Sequence, residues 1–176
     1  MKRIALWLVL LLPYIGGFML YLWFNRSLKE VANASVIIIS KQEMSLRVID
    51  YRGIELLNMP VAIGLNNGDK QKLGDMRTPE GVFAISQIQD ASGWSHDFGD
   101  GKGEIRGAYG QFFIRLSTGF QGIGIHGTHD DQSIGTRVTE GCIRLKNEDL
   151  EELVKNIKVG NVVIITPSTL DIINNM

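Results

Sequence analysis

The sequence has one cysteine, three histidines and no long run of lysine or arginine among its 176 residues. A lone cysteine cannot form a disulfide within the chain, so cysteine usage does not indicate the redox compartment. The formal net charge of −1, without a basic cluster, leaves no electrostatic footprint for nucleic acid, which is therefore not an expected partner. The length and the 44% hydrophobic content fit one folded domain with a tail or an anchor.

The N-terminus contains a long uncharged stretch. The segment from Ile4 to Phe24 has no charged residue and is rich in leucine and aromatic residues. At about 1.5 Å of rise per residue, a helix of this length spans roughly 30 Å, the thickness of a bilayer core. We therefore predict that residues 1–34 form a transmembrane anchor and a short tether, with the rest of the chain outside the cytoplasm in the cell envelope.

A cleaved signal peptide is the alternative for the same segment. Ala32, Asn33 and Ala34 have the small-x-small form that signal peptidase favours. Against cleavage, the apolar stretch is longer than the usual apolar region of about 7 to 15 residues, and it ends well before the alanine pair. The sequence favours the anchor and leaves the signal peptide open.

Short β segments begin at about Ser35. Val36–Ser40 is an apolar run and Met44–Tyr51 alternates apolar with polar residues, which together predict a hairpin through Lys41–Glu43. Further strands are predicted over Ile54–Ile63, Val82–Ile88, Gln111–Leu116, Gly122–His126, Cys142–Leu145 and Val162–Thr166. The pattern predicts a mainly β domain over 35–168, dominated by antiparallel sheet, with 169–176 as a C-terminal tail.

One short helix is predicted within this domain. Asn147 can cap its N-terminus, Glu148 and Asp149 lie in its first turn, and apolar residues repeat at helical spacing from Leu150 onward. The pattern ends near Lys158.

One connection is unusually long for a small domain. The stretch Gln89–Ala108 contains Trp94, His96 and several glycine and aspartate residues. Loops of that length in a compact domain are often lids or binding loops.

The lone cysteine lies in a motif that suits a nucleophile. Cys142 follows a glycine, and His126 lies upstream in the run Ile125–Thr128. A thiolate must be accessible to its substrate, and a neighbouring imidazole raises the fraction of thiolate at neutral pH. Cys142 and His126 are therefore the candidate nucleophile and base.

Two other interpretations compete for this cysteine. A lone cysteine in a β domain is usually a small buried hydrophobic residue. His126, His129 and Cys142 also offer ligand types that suit zinc, but no fourth ligand has a recognisable spacing. We therefore expect neither a metal nor another cofactor.

Four ordered blocks of the sequence resemble the L,D-transpeptidase catalytic domain. They are Gly74-Asp-Met-Arg-Thr-Pro-Glu-Gly-Val-Phe83, Ala108–Gly110, Ile125–Thr128 and Gly141–Leu145, the last followed by Asn147 and Asp149. The resemblance runs from about Val36 to Pro167. It implies a β-sandwich-like fold, a cell-envelope location and the stem peptides of peptidoglycan as substrate, which agrees with the N-terminal segment.

The resemblance also implies roles for individual residues. Cys142 would attack a tetrapeptide stem, release D-Ala and form a thioester, with His126 as general base and acid. The backbone carbonyl of Gly127 would orient the histidine ring, and backbone amides near Gly141 would form the oxyanion hole. An amine of a second stem would then accept the acyl group, which gives a 3→3 cross-link.

Substrate contacts are predicted for three further residues. Arg144 is placed either to hold a stem carboxylate or to fix its loop, Tyr109 lies in a matching block, and Trp94 is placed either to touch substrate or to pack its own loop down. Many family members have a histidine where this chain has Glu140, which we expect to face solvent or the path of the acceptor.

Other functions stay open at this stage. If water replaces the amine, the same acyl-enzyme makes the protein an L,D-carboxypeptidase or an amidase. A non-catalytic peptidoglycan-binding module is the alternative from another class. It is disfavoured because a degenerate module would be expected to lose Cys142 or His126, and this chain keeps both.

Overall fold

The computed structural model describes residues 14–26, 35–98, 101 and 103–174. Its helices are α1 (14–26), α2 (Asn147–Asn156) and α3 (Thr169–Asn174), and Asp131–Ser133 form a 3-10 turn. Its strands are β1 (Ser35–Ser40), β2 (Ser45–Asp50), β3 (Glu55–Pro60), β4 (Ile63–Gly64), β5 (Gly81–Asp90), β6 (Ser95–Asp97), β7 (Glu104–Arg106), β8 (Phe112–Leu116), β9 (Gly124–His126), β10 (Arg137–Thr139), β11 (Ile143–Arg144) and β12 (Val162–Thr166).

The chain divides into two units, Met1–Ala34 and Ser35–Met176. In the first, α1 covers the second part of the predicted membrane segment, while Ile4–Pro13 and the alanine pair of the signal-peptide alternative lie outside the described residues. Within the described part of the chain, no helix is both long and apolar enough to cross a membrane. The anchor and the signal peptide both stay predictions.

The second unit is mainly β, as predicted. Its largest sheet has eight strands in the order β11-β9-β8-β5-β12-β1-β2-β3. The predicted hairpin is present, because β1 and β2 pair antiparallel with Ser40 opposite Ser45. The sheet is dominantly antiparallel, as predicted, since five of the seven strand pairs among the described residues are antiparallel. The other two pairs are parallel, β1 with β12 and β9 with β11. In both cases the connecting chain is long enough for the crossover that parallel pairing requires.

Strand β5 joins the two halves of this sheet. Its first part pairs with β12 and its second part pairs with β8, with a register shift between Ile85 and Gln87. An irregularity of this kind bends a strand and increases its twist. In place of two separate sheets, the structure therefore has one continuous sheet whose halves share β5.

Both halves bury their apolar side chains in one core. Ile37 and Ile39 from β1, Ile114 from β8, and Leu150 and Leu153 from α2 are all fully buried in the same cluster. Truncating such a residue to alanine typically costs about 2 to 5 kcal/mol of stability. This core fixes the positions of β9 and β11, at whose ends the candidate catalytic residues lie.

The long connection Gln89–Ala108 is not the irregular loop that the sequence suggests. Strands β6 and β7 pair antiparallel within it, with His96 opposite Ile105. A second small sheet pairs β4 with β10. Both strands of each small sheet are only two or three residues long, which is too short for a clear alternating pattern in the sequence.

Helix α2 starts as predicted but its cap differs. Lys146 is the N-cap and provides no side-chain hydrogen bond to the helix, so the prediction that Asn147 caps it is wrong. The Asn147 carboxamide instead binds the backbone of Thr128. The sequence suggested a cap because asparagine is common there, whereas a long-range contact uses the same polar group.

The C-terminal segment that the sequence assigned to a tail contains α3. Asp171 on this helix is fully buried, and its Oδ2 lies 3.1 Å from Nζ of Lys41, whose side chain is also fully buried. Lys41 further binds Glu80 at 2.6 Å, and Arg137 lies 3.5 Å from Asp171. Buried charges must be paired, so this network fixes α3 against the rest of the second unit.

Candidate active site

The candidate catalytic residues lie on adjacent strands. In the parallel pair formed by β9 and β11, Ile125 lies opposite Ile143 and His126 lies opposite Arg144. Cys142 immediately precedes β11, and His126 ends β9. Both residues line a pocket of about 420 Å³, together with Arg144 and Tyr109. The structure thus brings together four of the residues that the sequence singled out.

The ring of His126 is held in one tautomer. Its Nδ1 lies 2.7 Å from the Gly127 carbonyl oxygen. A carbonyl can only accept a hydrogen bond, so in the neutral ring the proton lies on Nδ1 and Nε2 is the basic nitrogen. The ring of Phe113 stacks on the imidazole at 5.7 Å and 7°, and Tyr109 packs edge-on at 4.9 Å.

Burial sets the charge state of the pair. It lowers the pKa of His126 to about 3, against the opposing effect of the Gly127 carbonyl. Burial also raises the pKa of the Cys142 thiol to about 11, with Glu140 adding to the rise and a hydrogen bond with the Gly124 backbone opposing it. The thiol group donates to the Gly122 carbonyl at 3.1 Å.

Burial thus favours the neutral thiol of Cys142 and the neutral imidazole of His126. It opposes the predicted effect of the imidazole on the thiolate fraction, which stays a prediction. Both groups are desolvated, and desolvation disfavours the charged form of each.

The turn that precedes the nucleophile is shaped by Thr139. Its hydroxyl donates to the Cys142 carbonyl at 2.6 Å and accepts from the Gly141 amide at 3.2 Å. Gly141 has a φ of +128°, and a Cβ there would lie 2.5 Å from the Arg77 carbonyl oxygen. Only glycine fits. The amide that the sequence assigned to the oxyanion hole is thus engaged by Thr139 in the resting structure.

Arg144 is a buried cation beside the nucleophile. One of its terminal nitrogens, Nη1, donates to the Ser133 hydroxyl at 3.0 Å, and its guanidinium lies 5.6 Å from the centre of the Phe98 ring. Its Nε is buried and has no hydrogen-bond partner among the described residues. Burial lowers the pKa of Arg144. The guanidinium nevertheless stays protonated, as arginine does in proteins.

The two predicted aromatic contacts occupy different positions. Tyr109 lines the pocket, and burial together with the neighbouring Cys142 and Glu140 raises the pKa of its hydroxyl. Trp94 is not among the described residues that line the pocket. It packs against Tyr109 at 6.0 Å and Phe113 at 5.5 Å, so it supports the site from behind.

Sequence reasoning missed part of the pocket. Lys70 lines it and is buried, with its Nζ 2.8 Å from Asp75. Hydrogen bonds from Lys70 and from three backbone amides hold the pKa of Asp75 well below its usual range, although burial opposes this. Lys70 carried no sequence signal, whereas Asp75 belongs to the first of the four blocks.

His129 is not among the described residues that line the pocket, but it contacts one that is. Its ring packs against Phe98 at a centroid distance of 5.1 Å. Within the described residues, no group of histidine, cysteine, aspartate or glutamate side chains is arranged to hold a metal ion.

Comparison with protein families gives one match that covers most of the chain. The model of the YkuD L,D-transpeptidase catalytic domain matches residues 34–165, which include every residue of the site and all of the sheet except Thr166. The chain belongs to this family of L,D-transpeptidase catalytic domains. The resemblance seen in the four sequence blocks is thereby confirmed.

Two curated relatives are proteins whose names assign them to the L,D-transpeptidases. YkuD of Bacillus licheniformis is 37% identical over 91 residues, covering 52% of this chain and 46% of that protein. YqjB of Bacillus subtilis is 33% identical over 100 residues, covering 52% and 53%. The chain thus spans about half the length of these relatives.

Solved L,D-transpeptidase structures have the same fold. L,D-transpeptidase 3 of Mycobacterium tuberculosis, in complex with a faropenem-derived adduct, superposes with a TM-score of 0.57 at 19% identity over 76% of this chain and 60% of that one. The catalytic domain of the Enterococcus faecium enzyme gives a TM-score of 0.56 at 17% identity, over 76% and 97%.

Proposed function

We propose that this L,D-transpeptidase family member is a cell-wall cross-linking enzyme that uses Cys142 as its nucleophile and a peptidoglycan tetrapeptide stem as acyl donor. The observation that carries the proposal is the shared pocket of Cys142 and His126, in which the Gly127 carbonyl makes Nε2 the basic nitrogen of the ring. A thiol next to an oriented base is the arrangement that acyl transfer requires.

The first half-reaction forms a thioester. As Sγ of Cys142 attacks the carbonyl carbon of the third stem residue, Nε2 of His126 takes the thiol proton. The same proton then passes to the amine of the departing D-Ala as the carbon–nitrogen bond breaks. Burial supports this order, because it favours the uncharged form of both groups before substrate arrives.

The turn before Cys142 is the proposed oxyanion hole. The Gly141 amide donates to the Thr139 hydroxyl in the resting state, so the Cys142 amide is the first donor for the developing oxyanion. The Gly141 amide can act as a second oxyanion donor only if its hydrogen bond to the Thr139 hydroxyl lengthens. Losing one oxyanion donor typically costs about 10²- to 10³-fold in rate.

Arg144 is the proposed site for a carboxylate of the stem. Its buried Nε has no hydrogen-bond partner among the described residues, and Arg144 lines the pocket beside the nucleophile. A buried donor without a partner costs free energy, which a carboxylate ligand would recover through charge-assisted hydrogen bonds.

The second half-reaction transfers the acyl group from Cys142 to an acceptor. An amine of a second stem gives the 3→3 cross-link, whereas water gives a tripeptide. Because peptidoglycan is the proposed substrate, the proposed location of the enzyme is the cell envelope. Incubation of the purified protein with tetrapeptide muropeptides, followed by mass spectrometry, tests the proposal. We expect dimers that have lost one D-Ala. Tripeptides alone would make the protein a carboxypeptidase, and unchanged substrate would contradict catalysis of either kind.

A further inference from the structure

The pocket holds one contact that the proposed half-reactions do not use. Nε2 of His96, on β6, lies 3.4 Å from Oε1 of Glu140, in the turn just before Cys142. Both residues line the pocket, and their side chains are 27% and 52% exposed. The contact therefore lies at the solvent side of the pocket and joins the β6–β7 pair to the turn that precedes Cys142.

Two charged residues of opposite sign flank the nucleophile in the chain. Arg144 follows Cys142 by two residues and is buried, whereas Glu140 precedes it by two residues and is exposed. The charge of Glu140 reaches the site, because it adds to the effect of burial in raising the pKa of Cys142 and of Tyr109. A carboxylate at this position works against thiolate formation.

We propose that Glu140 binds the ammonium group of the acceptor amine, in the position that the His96 imidazole occupies in the free enzyme. This rests on the proposed function and names the class of its second substrate as a cationic amine. The His96 contact shows that a nitrogen-bearing group can reach the Glu140 carboxylate inside the pocket. An acceptor ammonium offers the same carboxylate a stronger, charge-assisted hydrogen bond.

The transfer step balances with this assignment. The bound ammonium first releases one proton to solvent and becomes a free amine. Its nitrogen attacks the thioester carbon of Cys142, so that a carbon–nitrogen bond forms and the carbon–sulfur bond breaks. The second proton passes through Nε2 of His126 to the departing sulfur, which restores the neutral thiol.

The test compares two acceptors with the parent protein and the Glu140→Gln variant. One acceptor is a lysine-containing tripeptide stem, whose side-chain amine is cationic at neutral pH, and the other is methoxyamine, which is mostly uncharged there. A tetrapeptide stem is the donor. Mass spectrometry measures the KM for each acceptor and the ratio of transferred to hydrolysed product, which does not depend on the acylation rate because both products arise from one acyl-enzyme.

We expect Glu140→Gln to raise the KM for the cationic acceptor by about fivefold, as for loss of a partly exposed ion pair, and to leave the KM for methoxyamine unchanged. Glu148→Gln, which removes an exposed carboxylate at the start of α2, should change neither of these two KM values. Equal changes for both acceptors, or no change for the cationic one, would overturn the assignment. A parent protein that forms no acyl-enzyme would refute the proposed function itself, which is a distinct result.

Discussion

The Asn147 carboxamide binds both backbone polar groups of Thr128. Its Oδ1 accepts from the Thr128 amide at 2.9 Å, and its Nδ2 donates to the Thr128 carbonyl at 2.9 Å. Thr128 directly follows His126 and Gly127, so the first residue of α2 holds the chain that carries the proposed base. Gly127 must lack a side chain because a Cβ there would overlap Asn147 Oδ1.

This contact predicts that Asn147 matters for catalysis more than for helix stability. Asn147→Ala removes two hydrogen bonds, each with a net value of about 0.5 to 1.5 kcal/mol, and should lower kcat/KM for acylation about tenfold. Asn147→Asp keeps the hydrogen-bond acceptor and loses the donor, so its kcat/KM should lie between those of the parent and Asn147→Ala. Asn156→Ala, at the other end of the helix, is the control. A fall in stability without a change in rate would show that the contact with Thr128 is purely structural.

The second prediction ranks the histidines. His126→Ala should leave the fold intact and slow acylation by about 10² or more, the usual effect of losing a positioned proton acceptor. His129→Ala should have a much smaller effect, because this ring packs on Phe98. Stopped-flow acylation by a β-lactam, with circular dichroism as a check on folding, measures both. Equal losses would show that the proposed base is misassigned.

The third prediction concerns pH. His126 with a pKa of about 3 stays neutral, and therefore basic, until the pH falls through that value. Cys142 with a pKa of about 11 keeps its proton until the pH rises through that value. The acylation rate should then be constant between about pH 5 and 9. A break near pH 6.5, the usual imidazole pKa, would instead indicate a solvated or charge-paired His126.

Local patterns account for what the sequence predicted well. The strand alternation around β1 and β2, the apolar spacing of α2 and the motif around Cys142 all lie within short stretches of chain. The pattern of residues made His126 the candidate base, the role of Gly127 came from the family resemblance, and the structure supplies the geometry of their contact.

The remaining features depend on contacts between distant segments. No local pattern could show that Asn147 turns from its helix toward Thr128, that His96 reaches Glu140, or that Lys70 enters the pocket. The rise in the pKa of Cys142 likewise follows from burial, which composition alone does not reveal. Trp94 was placed in the right region, but only the packing shows that it lies behind Tyr109.

The fourth prediction concerns the buried pair of Asp171 and Lys41. Asp171→Asn leaves the fully buried Lys41 with weaker compensation and should lower the free energy of unfolding by about 3 to 5 kcal/mol at neutral pH. Urea unfolding measures this. Glu151→Gln, an exposed change on α2, is the control and should be nearly neutral.

The same pair fixes the direction of the acid response. Burial opposes ionisation of Asp171, but hydrogen bonds from Gly68, Ser168 and Lys41 hold its pKa well below the usual range. A depressed folded-state pKa contributes stability above the unfolded value of about 3.9, and this contribution is lost as the pH falls through the folded value. The parent should therefore lose stability on acidification more steeply than Asp171→Asn. Parallel curves would show that Asp171 does not contribute.

The central claim is that Cys142 forms a covalent acyl-enzyme. Intact-protein mass spectrometry after incubation with a carbapenem tests this most directly. We predict one added inhibitor mass on the folded parent protein, located on Cys142 by peptide mapping, and no adduct on Cys142→Ser. An adduct on the serine variant, or none on the folded parent, would contradict the claim.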